Sequence, residues 1–156
     1  MSAFPDLRIH LSERYSHLQG DWVAERKPYE GAICLALGME EQAGPYWDAR
    51  WGTYLIEFKK GRSIWIDLVR YAEVLLRAND DACQKTITLF FLPNGRRDAI
   101  EEVLGAETET LIRKMGLTEA DAQALLSLQE RVPRSLNAQA SLTVRDVREL
   151  ACFKVP

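Results

Sequence analysis

The stretch Trp47-Asp48-Ala49-Arg50-Trp51-Gly52-Thr53-Tyr54-Leu55-Ile56-Glu57-Phe58-Lys59-Lys60 decides the fold of this chain. Residues 53–60 are rich in aromatic and branched side chains and predict a strand. Residues 46–50 predict a shorter strand before it, across a turn at Trp51-Gly52. Side chains alternate faces along a strand, so Ile56 and Phe58 point into a core while Glu57 and Lys59 share the other face. A half-buried charge on an apolar strand is costly unless it is paired or binds a metal. Two readings of Glu57 and Lys59 are therefore open: a same-face salt bridge, or a site.

Asp48 joins them if the turn between the strands holds an even number of residues. A four-residue turn over 50–53 sets Asp48 opposite Leu55 and makes Asp48 and Glu57 diagonal neighbours. Diagonal neighbours lie roughly 7–8 Å apart at the backbone, within reach of one shared cation. An odd turn sends Asp48 to the wrong face. A two-residue turn at Trp51-Gly52 asks Trp51 for an unfavourable positive φ.

Outward from this hairpin the pattern is helical. Residues 7–25 read as a helix, and Pro28 is placed to open another over 29–41, stopped by Gly44-Pro45. Glu30, Ile33, Cys34 and Leu37 form one inward stripe of that second helix. Glu30 is either a functional acid or a first-turn carboxylate that complements the helix dipole. Downstream, Lys60-Gly61-Arg62 is a turn, and Ser63 caps a helix over 64–77 that ends at Asn79-Asp80-Asp81. Asp67 and Tyr71 lie on its wheel at the edge of the apolar face of Ile64, Leu68, Ala72 and Leu75. They are a site-lining pair or an ordinary boundary pair. Residues 85–92 predict a buried strand. Helices follow over 97–104, 107–115, 118–131 and 142–151, with Thr118 and Asp121, and Thr143 and Asp146, spaced as caps. The order is that of an α/β protein with one domain over 1–156: a core over about 28–93 and a helical cover over about 97–156.

Composition narrows the function classes. The chain has 156 residues, 47% hydrophobic and 28% charged, which is globular and not disordered. Its longest apolar runs, 32–37 and 87–92, fall far short of the roughly 20 residues of a membrane span. Met1 to His10 lacks the basic start and apolar run of a signal peptide. The three cysteines, Cys34, Cys83 and Cys152, are odd in number and widely spaced, as reduced thiols in a cytosolic protein are. A net charge of -3 excludes nucleic-acid binding through bulk positive charge and leaves local basic patches. No Gly-rich phosphate loop appears, and His10 and His17 lack matching metal-ligand spacing. Cys34 reads as packing. Trp51 is expected exposed at its turn, able to stack on a base or a partner.

Asp48, eight residues, then Glu57-Phe58-Lys59 resembles the signature of the PD-(D/E)XK nuclease superfamily, the restriction endonuclease-like fold. The resemblance covers about 65 residues, from Pro28 to Leu92, in the family's order of helix, short mixed sheet, helix and strand, with extra C-terminal helices beyond it. It departs from the family at Trp47, where a proline precedes the aspartate, and at Asp67, where the Gln-x-x-x-Tyr motif of the exonuclease branch has glutamine. The resemblance implies a metal-dependent nuclease with Asp48, Glu57, Lys59 and Glu30 as catalytic residues. Mg²⁺ (or Mn²⁺) would be held by Asp48, Glu57 and the Phe58 main-chain carbonyl, with Lys59 orienting the attacking water. Two carboxylates and a carbonyl suit a hard cation that keeps its waters and activates one of them. Lys60 and Arg62, with Asp67 and Tyr71, would bind substrate, DNA ahead of RNA, and Arg26-Lys27 flank the Glu30 helix. A homodimer or a basic partner subunit would complete the grip of an acidic chain. The expected location is cytoplasmic, or nuclear in a eukaryote. The alternative is a catalytically inactive nuclease-fold module that binds protein or nucleic acid.

Overall fold

A computed structural model describes residues 4–24, 29–42, 47–77, 85–131 and 139–155. Arg26, Lys27, Pro28, Gly44, Pro45, residues 79–81 and Cys83 lie outside the described residues. The described elements, in chain order, are α1 (Pro5–Arg14), α2 (Glu30–Leu37), β1 (Glu40–Glu41), β2 (Ala49–Trp51), β3 (Tyr54–Lys60), β4 (Ser63–Asp67) and α3 (Leu68–Arg77). They continue with β5 (Lys85–Pro93), β6 (Ile100–Glu107), α4 (Thr108–Lys114), α5 (Glu119–Arg131), β7 (Gln139–Thr143), α6 (Val144–Leu150) and β8 (Phe153–Val155). This is a mixed α/β protein. Its main sheet runs β1-β2-β3-β5-β6-β8, and β4 with β7 forms a separate two-stranded ribbon. β3 and β5 are parallel, and the other pairs are antiparallel.

The central hairpin forms where the sequence places it, with a different turn. Trp51 stands opposite Tyr54 and Ala49 opposite Ile56, so the loop is Gly52-Thr53, and Gly52 takes φ 60°. Glycine adopts that left-handed conformation at no Cβ penalty, and Trp51 stays extended. At Asp48 the ladder stops stepping regularly. Its N–H donates to the Ile56 carbonyl at 3.0 Å, although Ile56 already faces Ala49. Two residues of one strand thus meet one of the other, the geometry of a bulge, which re-aims a side chain. The expected diagonal placement of Asp48 and Glu57 is replaced by this irregularity.

Two cores follow from strand alternation. Ile56, Phe58, Ile87, Leu89 and Phe91 pack with Leu7 and Leu11 of α1 and Ile33 and Leu37 of α2. On the other face Phe90, Leu92, Leu104 and Ala106 pack under Tyr71, Ala72 and Leu75 of α3, Leu111 and Ile112 of α4, and Ile64 and Ile66 of β4.

The structure corrects several predicted elements. The N-terminal helix ends at Arg14 and gives way to 3₁₀ turns at Tyr15–His17 and Asp21–Val23. α2 stops at Leu37 because Gly38, at φ 63°, is a left-handed cap. Residues 63–67 are strand: Ile64 and Ile66 are buried while Ser63 and Trp65 are exposed, a two-residue period. The helix begins only at Leu68, capped by Asp67 and not Ser63. Residues 100–107 are strand despite their Ala, Leu and Glu content, because β6 pairs with both β5 and β8 and is buried on both faces at Val103, Leu104 and Ala106. Tertiary pairing there overrides helix propensity. Residues 142–143 belong to β7, and the helix starts at Val144 behind a capping box of Thr143 and Asp146. The C-terminal region is thus not a helical cover: β6 and β8 extend the main sheet and β7 pairs with β4, with α4, α5 and α6 between them in the chain. Among the described residues no helix is long and apolar enough to cross a membrane.

Gly105 pairs with Phe153 across β6 and β8, and a Cβ there would run into the Phe153 ring. We expect Gly105→Ala to lower stability by about 1–3 kcal/mol through overpacking. Urea denaturation checks this: the midpoint should fall with an unchanged slope.

Candidate functional site

Among the described residues two carboxylates are buried, Glu102 and, at the predicted site, Glu57. Glu57 is only 2% exposed, on the β3 face that α3 covers. Its Oε1 takes two cations, Lys59 Nζ at 3.3 Å and Arg70 Nη1 at 3.4 Å. Its Oε2 is buried and has no hydrogen-bond partner in good geometry, although the Tyr71 phenol stands close enough for a hydrogen bond to the Glu57 carboxylate to help raise that phenol. An unmet buried acceptor forfeits about 1–3 kcal/mol, more when charged. Lys59 arrives by strand alternation. Arg70 arrives because Asp67 Oδ1 accepts from the N–H groups of Val69 at 3.0 Å and Arg70 at 3.3 Å, which starts α3 at that point.

A thread of hydroxyls runs inward beside Glu57. Tyr71 Oη lies 3.3 Å from Thr88 Oγ1, which lies 2.9 Å from Thr108 Oγ1, and all three residues are buried. Burial, and then the neighbouring Glu57 charge, push the Tyr71 phenol well above its ordinary range, so it stays protonated.

Asp48 stands where the regular pairing of β2 with β3 ends. Its Oδ2 accepts from the Phe58 N–H at 2.7 Å. In an antiparallel ladder one residue's N–H and C=O project to the same side. The Phe58 carbonyl therefore faces the β2 side, as its N–H does. Glu30 opens α2, and its Oε2 accepts from the Tyr29 N–H at 3.1 Å. The Tyr29 phenol is pushed upward by burial first, then by Glu30, Asp48 and, more weakly, Glu57. Glu30 and Asp48 thus lie near the Tyr29 phenol, while Glu57 faces α3, and the three candidate acids are not gathered into one group.

The remaining candidates are divided between sites. Lys60 lies on the opposite face of β3 from Glu57. Its Nζ donates to the carbonyls of Trp22 at 3.2 Å and Val23 at 2.7 Å and sits 4.9 Å from the Tyr29 ring centroid. Arg62 is exposed and pairs with Glu101 at 3.5 Å. Asp67 is a helix cap, and Tyr71 lies beside Glu57. Cys34 is buried, its thiol pushed up to about 11 by burial and then by Glu41, Asp48 and Glu30, which keeps it a packing group. Trp51 is half-buried and stacks on His10 at 4.5 Å and on Tyr54 at 6.0 Å. The exposed tryptophan is Trp65, on the ribbon.

Sequence reasoning missed Arg70, Thr88 and Thr108. A signal for Arg70 was present. Once Asp67 is read as the cap, Arg70 falls in the first turn of α3, where the helix dipole disfavours a cation. Such a cation calls for a partner. Nothing in the sequence marked Thr88 and Thr108, whose contact depends on the pairing of β5 with β6. Among the described residues no group of three or more His, Cys, Asp or Glu side chains is assembled to hold a metal ion. Comparison with known proteins returns no matching family model, no matching curated protein and no matching solved structure.

Alkaline titration should report the buried phenols. Tyr54 is pushed up to about 12 by burial and its hydrogen bond to Asp6, and Tyr71 is also pushed well above the ordinary phenol range by burial. A folded pKa above the unfolded value near 10 stabilises fully below that value and loses the effect as pH rises through the folded one. Stability should therefore fall as pH climbs from 10.0 toward about 12. Tyr71→Phe should flatten that fall, measured as the melting temperature against pH.

Proposed function

We propose that this chain is a metal-dependent nuclease that hydrolyses phosphodiester bonds in nucleic acid, DNA ahead of RNA, as its resemblance to the PD-(D/E)XK superfamily implies. The observation that carries the reading is the Glu57 carboxylate, buried with Oε2 lacking a hydrogen bond in good geometry, one residue from the Phe58 main chain that Asp48 grips. The surrounding order supports it: α2 with Glu30, a hairpin bearing Asp48 and Glu57-x-Lys59, then α3, then a strand parallel to β3.

The Glu57 carboxylate, the Asp48 carboxylate and the Phe58 carbonyl are oxygen donors of the type a hard divalent cation takes. In this structure Glu57 faces α3 and Asp48 Oδ2 is bonded to the Phe58 N–H, so holding one cation between them requires the two carboxylates to turn toward each other. Mg²⁺ (or Mn²⁺) held there would lower the pKa of a bound water and stabilise charge on the phosphate. Asp48 takes the Phe58 N–H that a continuing strand would have taken. Lys59, on the Glu57 face, orients the attacking water and meets negative charge developing on the phosphate. Glu30 adds negative charge near Asp48. Lys60 acts from the other face as a support of the Trp22 segment, and Arg62 offers a phosphate contact from the rim.

The ion triad of Glu57, Lys59 and Arg70 favours a second reading, a catalytically inactive module that keeps this fold for binding. Buried carboxylates are commonly neutralised in this way for structure alone.

Two measurements decide. Asp48→Asn and Glu57→Gln should each abolish Mn²⁺-dependent cleavage of DNA with little change in fold, and EDTA should abolish it in the wild type. Mn²⁺ should raise the melting temperature of the wild type and do so less in either mutant, since a ligand of the folded state alone stabilises it. Full activity in EDTA, or in either mutant, would sink the reading.

Lys59→Ala separates the two readings further. In the nuclease, cleavage falls strongly while Mn²⁺ binding survives or tightens, because Lys59 does not ligate the cation. In the inactive module, the mutation removes one counter-charge of Glu57 and its main effect is a loss of about 1–3 kcal/mol. A cleavage assay, calorimetric titration with Mn²⁺ and a melting curve on this one mutant tell them apart.

A further inference from the structure

We infer that the tip of the β5–β6 hairpin is a phosphate-contacting arm, with Arg96 and Arg97 the side chains that meet the backbone of a DNA duplex. The inference rests on the proposed reading of the chain as a nucleic-acid-binding protein and adds an interaction surface to it; it needs no metal ion. β3 and β5 run parallel and finish at the same end of the sheet. Their last pair is Lys60 with Phe91, and β5 continues to Pro93. The connection over residues 94–99 therefore stands beyond that end. Its own hydrogen bonds fix its shape. The Arg97 N–H donates to the Asn94 carbonyl at 3.1 Å, and the Asn94 N–H donates to the Ala99 carbonyl at 2.9 Å. The Asn94 side chain accepts from the Asp98 N–H at 3.1 Å and donates to the Asp98 carboxylate at 2.6 Å.

These bonds hold Arg97 at φ 58°, a left-handed conformation in which a Cβ is costly and glycine is the usual occupant of a hairpin loop. The fold gains no contact in return. Arg96 and Arg97 are both exposed, and among the described residues neither guanidinium has a hydrogen bond or an ion pair. The acids at this end of the sheet have partners of their own. Asp98 is bonded to the Asn94 amide, Glu101 to Arg62, and Glu102 to Arg148 and Lys154. Asp21 lies on the turn that Lys60 ties to β3. Two adjacent guanidiniums are thus presented on a fixed tip with no internal claim on them. Each offers a fork of donors that matches two phosphate oxygens. A rigid tip is preorganised for the fixed repeat of phosphates along a duplex, whereas the carboxylates of an acidic peptide have to be ordered one by one. The Gly61 N–H donates to the Phe91 carbonyl at 3.1 Å, which sets the Arg62 turn beside the base of the hairpin. A duplex held by the tip would run along the end of the sheet where β3 finishes.

The test titrates a labelled DNA duplex and, separately, poly-glutamate into the full chain in EDTA at several salt concentrations, so that neither cleavage nor a metal enters the readout. Arg96→Gln and Arg97→Gly should each bind the duplex more weakly, with a salt slope shallower by about one, and the double variant should be shallower by about two. Arg97→Lys keeps the charge and should keep the slope, which separates lost charge from a damaged tip. Arg97→Gly should also melt about 2 °C higher than wild type, because glycine relieves the left-handed backbone. Unchanged slopes in both single variants overturn the proposal. So does a melting temperature of Arg97→Gly that fails to rise, which would give Arg97 a part in the fold. Poly-glutamate that binds as tightly as the duplex, with the same sensitivity to the variants, overturns the choice of nucleic acid and makes the tip a docking point for acidic protein. Duplex binding that the variants leave untouched defeats this inference alone, and a wild type that binds no duplex defeats the nucleic-acid reading with it. The expected slopes without Mn²⁺-dependent cleavage support the arm while defeating the nuclease.

Discussion

The parallel pairing of β3 with β5 constrains everything around the site. A parallel pair cannot be closed by a tight turn, so the chain must cross one face of the sheet to return. That crossing carries β4 and α3 over the face on which Glu57 and Lys59 point. The opposite face, with Ile56 and Phe58, is left to α1 and α2. One backbone pairing therefore buries a carboxylate under a helix and delivers Arg70 and Tyr71 to it. An antiparallel return would have left Glu57 on an open face, where solvent would satisfy both its oxygens.

Burial then sets the electrostatic character of the site. Glu57 is nearly covered by the second core, so its charge calls for protein groups or a ligand to meet it. Lys59 and Arg70 meet one oxygen, and the hydroxyl thread of Tyr71, Thr88 and Thr108 carries polarity deeper between β5 and α4. Each member of that thread would be costly alone, and each is tolerated because the next one pairs with it. Lys60, one residue beyond Lys59, shows the strictness of the alternation: its ammonium emerges on the other face and ties down the Trp22 turn.

Asp48 shows how a local irregularity positions a polar group. Its backbone doubles up on Ile56, and its carboxylate replaces the missing strand partner of Phe58. The regular pairing of β2 with β3 ends there. Glu30 and Asp48 both push the Tyr29 phenol upward, so both lie near it. The irregularity is a product of the ladder's mismatch, not of the hairpin's turn.

Short-range information was enough for the hairpin, the buried run of β5, the capping pairs at Thr118 and Thr143, and the common face of Glu57 and Lys59. Each depends on residue type and spacing within a few positions. The two-residue alternation of Ser63 to Asp67 was equally local and was masked by the amphipathic helix that follows it. Only the tertiary structure decided that 100–107 is a strand, because its Ala, Leu and Glu would favour a helix until β5 and β8 claim its backbone on both sides. Only it decided that Asp48 turns to the Phe58 main chain, since a bulge depends on how two strands mismatch. Arg70 meets Glu57 across 13 residues of chain, and the crossover that joins them is set by strand pairing. The sequence by itself determined which side chains carry charge and how they alternate, because those are properties of the local backbone. The tertiary structure decided which charges are buried together, because burial depends on what the distant chain places on top.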